Sequence, residues 1–302
     1  MLTKKESSYL NNLHSLKNKN VIITGSNTGI GLQIAKACLI KEANVYLACR
    51  NKKKANDARN LLAESFPNSK IEVIEYDQSN LASITNFVKN ILDLKVNFDI
   101  LICNAGIFKP KKDLLFYNQI PLTYGTNFIG LFYLLDLLTK YLKEDTKDRK
   151  IIIQGSLSAR FYKTKNADFL FNKKMRLFKQ YSLSKQCVEN SFYYFSSNNI
   201  NPHIQFLLCE PGITNSDIYR NYPSPFRQIA KSAINLVCHA TFVAGLSAVT
   251  LACNYTANGL FIAPKGYKRI KGYPKTFKFN KKYYNQSVID KTYEILNVIK
   301  DF

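Results

Sequence analysis

The chain has no tryptophan, two methionines, three histidines and 21 acidic residues against 43 basic ones in 302 positions. His14, His203 and His239 stand far apart, and no pair has the spacing of a zinc motif, so no metal site is expected. Gly155-Ser156-Leu157 lacks the second glycine of a nucleophile elbow, which excludes the serine-hydrolase layout. The seven cysteines, Cys38, Cys49, Cys103, Cys187, Cys209, Cys238 and Cys253, include no CxxC pair and mostly sit in apolar runs. Such thiols behave as small hydrophobes and point to a reducing compartment. After Met1-Leu2-Thr3-Lys4-Lys5-Glu6 there is no apolar stretch of about 7–15 residues of the kind a secretory leader carries. The most apolar long segment, about 229–253, carries Lys231, Asn235 and His239 and reads as an amphipathic buried helix, not a membrane span. The expected location is cytoplasmic. No Pro/Gly/Ser-rich linker, low-complexity tract or solenoid repeat is present either, so residues 1–302 are read as one domain, although ~100–200 residues per domain would admit two.

The shortage of acids leaves a formal charge of +22, which by itself would suit nucleic acid or an anionic membrane. The lysines, however, are spread along the whole chain beside many Asn, Ile and Tyr, a bias that base composition alone produces, and no specific nucleic-acid partner is expected. The densest basic stretch, Lys265 to Lys282, interleaves with Tyr267, Tyr273, Phe277 and Phe279. That pattern fits nucleic-acid contact and fits equally a solvated tail whose rings pack on the body.

What is present begins with Val21-Ile22-Ile23-Thr24-Gly25-Ser26-Asn27-Thr28-Gly29-Ile30-Gly31, followed by apolar residues at helical spacing. A buried strand there feeds a helix through a glycine turn, whose free N–H groups and positive dipole end suit a phosphate. Gly25 permits the turn, Gly29 lets a phosphate approach the backbone, and Gly31 lets helix and strand pack closely. A second strand, Asn44 to Arg50, ends about 20 positions on, where a dinucleotide fold meets the adenosine ribose. An acid there would bind the 2′-hydroxyl of NAD. This chain has neutral Cys49, then Arg50 and Asn51-Lys52-Lys53-Lys54, so the electrostatics favour NADP(H) over NAD(H), with Arg50 as the specific phosphate ligand. A third strand, Ile71 to Tyr76, leads into Asp77-Gln78-Ser79. Asp77 reads either as the N-cap of the following helix or as an acceptor for the adenine amino group, with Gln78 beside it. A fourth strand, Phe98 to Cys103, ends in Asn104-Ala105-Gly106, small residues against which a cofactor can lie.

This ordered set resembles the short-chain dehydrogenase/reductase family. Tyr124-Gly125-Thr126-Asn127 matches the family's helix asparagine, Ile151 to Ser156 its fifth strand with the catalytic serine, Tyr181-Ser182-Leu183-Ser184-Lys185 its Tyr-x-x-x-Lys helix, and Pro211-Gly212 its turn after strand six. Ala48-Cys49-Arg50 and the long interval between Ser156 and Tyr181 are similar to the branch holding retinol dehydrogenases and protochlorophyllide reductases, which mostly prefer NADP(H). The resemblance runs from about residue 19 to 216, and more loosely from about 242 to 274. It implies an α/β Rossmann-type, doubly wound, mainly parallel sheet of about seven strands with helices on both faces. It also implies cofactor contacts from Pro211, Gly212, Ile213 and Thr214. Where many members carry a threonine that bonds the nicotinamide amide, this chain has Ser216, with Thr214 as a second hydroxyl nearby.

The chemistry fits these residue types. Tyr181 and Lys185, at i and i+4, share a helix face. A free phenol titrates at about 10, and one positive charge at ~5 Å with an effective dielectric of ~20 contributes about 3 kcal/mol, lowering that value by roughly two. An oxidised nicotinamide adds a second charge, which brings Tyr181 near neutrality as an acid/base for an alcohol or carbonyl. Ser156 can donate a hydrogen bond to the same oxygen. The resemblance gives Asn127 a water that links Lys185 to solvent; the alternative is an asparagine bonded to backbone. Two segments are expected to define a small-molecule carbonyl or alcohol substrate. One is Leu157 to Gln180, basic and aromatic, and the other is a lid at about 213–240 with Tyr219, Tyr222 and Phe226; its aromatics favour an apolar substrate. A homo-oligomer is left open. The competing function is a non-catalytic dinucleotide sensor or partner-binding protein of the same fold, which would need none of Ser156, Tyr181 and Lys185. A second Tyr-x-x-x-Lys, Tyr267/Lys271, lies between glycine- and proline-bearing flanks that break helices.

Overall fold

The computed structural model describes residues 2–93, 96–108, 114–118, 120–162, 164, 175–214 and 240–299. Among them the β-branched runs form β1 Asn20–Thr24, β2 Asn44–Cys49, β3 Ile71–Glu75, β4 Ile100–Cys103, β5 Arg149–Gln154, β6 Ile204–Cys209 and β7 Phe261–Pro264, all parallel, with β8 Pro274–Phe277 antiparallel on β7. In space the order is β3-β2-β1-β4-β5-β6-β7-β8. The seven parallel strands meet the expected architecture. The eighth is an edge strand that begins with Pro274 and carries Lys275 and Thr276 outward, a composition that edge positions tolerate.

The strands read as unbroken apolar runs because both faces are covered. Period-two alternation sends Ile22, Tyr46, Leu101, Ile151 and Ile153 to one face, where they pack with α4 Leu81–Leu92, α5 Gly130–Tyr141, α6 Leu177–Asn198 and α8 Gln286–Ile299. Val21, Ile23, Val45, Leu47 and Ile152 point the other way, onto α1 Lys4–Asn11, α2 Gly29–Ile40, α3 Lys52–Ser65 and α7 Thr241–Asn254. The chain steps from β1 outward through β2 and β3, then returns to place β4 on the other side of β1. That reversal opens a crevice at the carboxyl ends of β1 and β4, where a doubly wound sheet takes its ligands.

One expectation changes, and one open alternative is narrowed. The helix after β3 is not capped by Asp77. It starts after Asn80, whose side chain accepts from Ser83 N at 2.9 Å, while Asp77 accepts from Ser79 N and Ser79 Oγ. Two capping residues stand three positions apart here, and the second, directly before the apolar periodicity, holds the helix end. Three of the four aromatic residues named in the basic stretch pack on the body: Tyr273 against Tyr9, Phe279 against Phe192 and Tyr193, and Phe277 against Phe261; Tyr267 is exposed. The part of the 229–253 segment that is described forms α7; Lys231, Asn235 and His239 lie outside the described residues. Among the described residues no helix is long and apolar enough to cross a membrane.

Candidate active site

At the crevice, Gly29 adopts φ +59°, and a side chain there would meet no atom within 4 Å, so the first turn of α2 is open to a ligand. Gly31 is closed on every side: a Cβ would lie 2.5 Å from Gly25 O and 2.6 Å from Asn104 Nδ2. That crowding brings α2 against the end of β4. Asn104 Nδ2 donates to Thr24 O at 2.8 Å, and Ala105 N donates to Thr24 Oγ1 at 2.9 Å, which locks the ends of β1 and β4 together. Ser26 is buried, and its hydroxyl donates to Ile23 O at 2.8 Å, so its side chain serves the turn and not the open side. Asn27 and Thr28 line a cavity of ≈ 460 Å³ with Leu32, Lys54 and Asp57. Ile30 is half-buried and packs against the helices of the α2 face.

Arg50 follows β2 with its side chain 66% exposed and Nε 3.9 Å from Asp77 Oδ2. The two line a cavity of ≈ 450 Å³ together with Glu75, Asn80 and Ser83. Gln78 does something else. Its buried amide donates to Thr126 O at 2.7 Å and Ala105 O at 3.3 Å and accepts from the Tyr76 hydroxyl at 3.0 Å. Both of its N–H donors are thus spent on holding the Asn104-Ala105-Gly106 bend against the helical run that carries Asn127.

Asn127 sits in a π turn, Gly125–Ile129, which runs into α5. Such turns are rare and occur frequently at functional sites. Its amide clasps the backbone of Ile107, with Oδ1 accepting from N at 2.7 Å and Nδ2 donating to O at 2.9 Å; Nδ2 also donates to Ser184 Oγ at 3.1 Å. The backbone-bonded alternative therefore describes the side chain. On α6, Tyr181 meets Phe108 edge to face with ring centroids 4.9 Å apart. One turn on, Lys185 is buried and donates from Nζ to Gln154 O at 3.0 Å. Burial lowers its pKa to about 8, opposed by the nearby Cys209 and Glu189. Glu189 and Glu210 are both buried and pushed up by burial, Glu189 further by the like charge of Glu210, and Glu210 to about 7. Arg269 Nε stands 3.4 Å from Glu210 Oε2.

Gln154 was not singled out in the sequence, although a lone amide ending the apolar run Ile151-Ile152-Ile153 was a signal. Its Nε2 donates to Asn104 Oδ1 at 2.8 Å while its carbonyl receives Lys185, so it joins the cofactor side to the catalytic side. Ser156 caps the short 3₁₀ turn Leu157–Phe161, accepting from Ser158 N at 3.2 Å and Ser158 Oγ at 2.9 Å. After β6, Pro211-Gly212 turns with Gly212 at φ +72°, and Ile213 N donates to Ile270 O at 2.8 Å. Thr214 is buried and its hydroxyl meets no partner among the described residues. Ser216, most of the segment expected to act as a lid, and residues 165–174 lie outside the described residues. Tyr267 is 77% exposed on a 3₁₀ turn broken by Lys268 at φ +48°, so the second Tyr-x-x-x-Lys is not helical.

The site thus gathers an open glycine turn, a buried lysine one helical turn past a tyrosine, and a serine at a strand end. Residues 19–225 match the family model described as short chain dehydrogenase. A WW domain-containing oxidoreductase from Gallus gallus is 35% identical over 152 residues, 50% of this chain and 36% of that one. A chloroplastic short-chain dehydrogenase, TIC 32 B, from Brassica napus is 36% identical over 141 residues, 46% and 43% of the two chains. Protochlorophyllide reductase B from Hordeum vulgare is 32% identical over 148 residues, 48% and 35%. The aligned segment spans less than half the length of each of these relatives. In fold, the crystal structure of an uncharacterised protein from Mycobacterium paratuberculosis superposes with TM-score 0.70 over 95% of this chain and 96% of that one at 19% identity. A Pseudomonas aeruginosa RhlG complex with NADP superposes with TM-score 0.61 over 80% and 91% at 20% identity. With its doubly wound sheet and its ordered motifs, the chain belongs to the short chain dehydrogenase family.

Proposed function

We propose that the protein is an NADP(H)-dependent oxidoreductase, a single domain that interconverts a lipophilic alcohol and its carbonyl compound. The observation that carries this reading is the buried Lys185, one helical turn past Tyr181 and held by the carbonyl of Gln154, two residues before Ser156. A dehydrated cation one helical turn past a phenol is suited to activating it.

The residues present suit a dinucleotide. The open Gly29 turn and the N-terminus of α2 would take the pyrophosphate through backbone N–H groups of Asn27 to Ile30. Arg50 would bind the 2′-phosphate, Asp77 the adenine amino group, and the orphaned Thr214 hydroxyl the nicotinamide amide. When bound, the nicotinamide supplies or accepts the hydride. Tyr181 exchanges the proton with the substrate oxygen, and Ser156 holds that oxygen by a hydrogen bond. Lys185, cationic below about pH 8, favours the phenolate of Tyr181. Asn127 keeps the π turn and the Ile107 backbone in place beside Ser184. The described cysteines are buried free thiols, in keeping with a reducing compartment such as the cytoplasm.

The reading is tested by a screen of aliphatic, aromatic and polycyclic carbonyl compounds monitored at the NADPH absorbance, with NADH in parallel. Turnover with NADPH on apolar carbonyls is the expected result. Binding of NADPH with no turnover on any carbonyl or alcohol would point to a non-catalytic protein instead.

A further inference from the structure

As a hydroxyl, Ser156 could accept a hydrogen bond from an alcohol substrate or donate one to it. Its surroundings decide between them. A hydroxyl oxygen has two acceptor positions and one proton. The main-chain N–H of Ser158 fills one position at 3.2 Å, and the Ser158 hydroxyl fills the other at 2.9 Å. The first of these bonds is the ordinary cap of a short turn, and it would form with any residue at position 158 except proline. The second is supplied by the side chain. Ser158 is 8% exposed, so water does not compete freely for its proton.

We propose that Ser158 is a positioning residue that makes Ser156 an obligate donor. With both acceptor positions occupied, Ser156 can only donate its own proton, and the open side of the site is where a substrate oxygen would receive it. Ser156 then holds that oxygen while keeping its proton, and proton exchange falls to Tyr181 alone. A hydroxyl that itself receives a hydrogen bond is also the stronger donor, because the two bonds polarise each other. This inference rests on the oxidoreductase reading above for its substrate, but the orientation of the hydroxyl is a property of the free protein.

The test is a double-mutant cycle with wild type, Ser156→Ala, Ser158→Ala, the double variant and Ser158→Thr, each assayed for kcat and KM on a carbonyl found in the screen. Ser158→Ala keeps the backbone cap and should lower kcat ~10-fold, less than the ~10²-fold or more expected for Ser156→Ala, with NADPH affinity within about two-fold of wild type. Ser158→Thr, which keeps the hydroxyl, should restore most of the loss. In the Ser156→Ala background the second substitution should cost nothing more. A further ~10-fold loss in that background, an unchanged Ser158→Ala, or a threonine as poor as alanine would each overturn the inference. Neutron diffraction from deuterated crystals of the unliganded protein gives a readout that needs no turnover. The deuteron of Ser158 should point at Ser156 Oγ and that of Ser156 into the open site, and the reverse arrangement refutes the proposal even if no substrate is found. An inactive wild type with the expected deuterons would count against the oxidoreductase reading and leave the orientation standing.

Discussion

Lys185 donates from Nζ to the main-chain oxygen of Gln154 at 3.0 Å, and this bond ties α6 to the carboxyl end of β5 two residues before Ser156. It fixes the position of a dehydrated cation, since neither the lysine nor the strand end can move without leaving a buried group unpaired. Gln154 extends the connection, because its side chain bonds Asn104 at the end of β4.

The two Tyr-x-x-x-Lys copies separate cleanly. Tyr181→Phe should lower kcat by ~10² or more with NADPH affinity little changed, as expected when an acid/base is lost. Tyr267, 77% exposed on a broken turn, should tolerate Phe with turnover within a few-fold of wild type. The measurement is kcat and NADPH affinity for both variants; a fully active Tyr181→Phe refutes the mechanism, and an inactive Tyr267→Phe moves the site.

Cofactor choice rests on Arg50. Its side chain is free enough to turn from Asp77 to a phosphate, the existing pair being 3.9 Å apart. Arg50→Ala should cost about 1.5–3 kcal/mol in NADPH binding and leave NADH binding nearly unchanged. Titration of both cofactors into both proteins checks this; equal NADPH affinities would dismiss Arg50 as the phosphate ligand.

Gln78 should matter for stability first. Gln78→Leu leaves Thr126 O and the partly buried Ala105 O without this donor and the buried Tyr76 hydroxyl without its acceptor. The expected loss is about 2–4 kcal/mol, read as a lower urea midpoint at an unchanged slope. An unchanged midpoint would mean that these bonds contribute nothing net.

Glu210 makes the fold sensitive to pH. Burial raises its carboxyl from 4.5 to about 7, so the folded state holds a proton that the unfolded state has released between those values. Its contribution is therefore fully present below 4.5 and is lost as pH rises through 7. Gln at this position cannot ionise, so the variant does not suffer this loss. The melting temperature of Glu210→Gln relative to wild type should thus climb by a few degrees from pH 5 to pH 8.5. A difference that stays flat or falls over that range would contradict the assignment.

Local patterning determined much of this protein. The glycine turn, the parallel strands and the Tyr181/Lys185 pair were legible because each depends on residues within one or two turns of each other, whose spacing sets strand period, helix face and turn freedom. The choice between Asp77 and Asn80 as helix cap was not legible, since either satisfies the same local rule. Nor could the side-chain roles of Gln78, Gln154 and Asn127 be read. Each is decided by partners 20 to 50 positions away that meet only because β4 crosses to the far side of β1. The contrast between the two Tyr-x-x-x-Lys copies has the same origin. Spacing made them equal, flanking glycine and proline set them apart, and only the folded chain set one phenol beside Phe108 and a buried lysine while leaving the other in water.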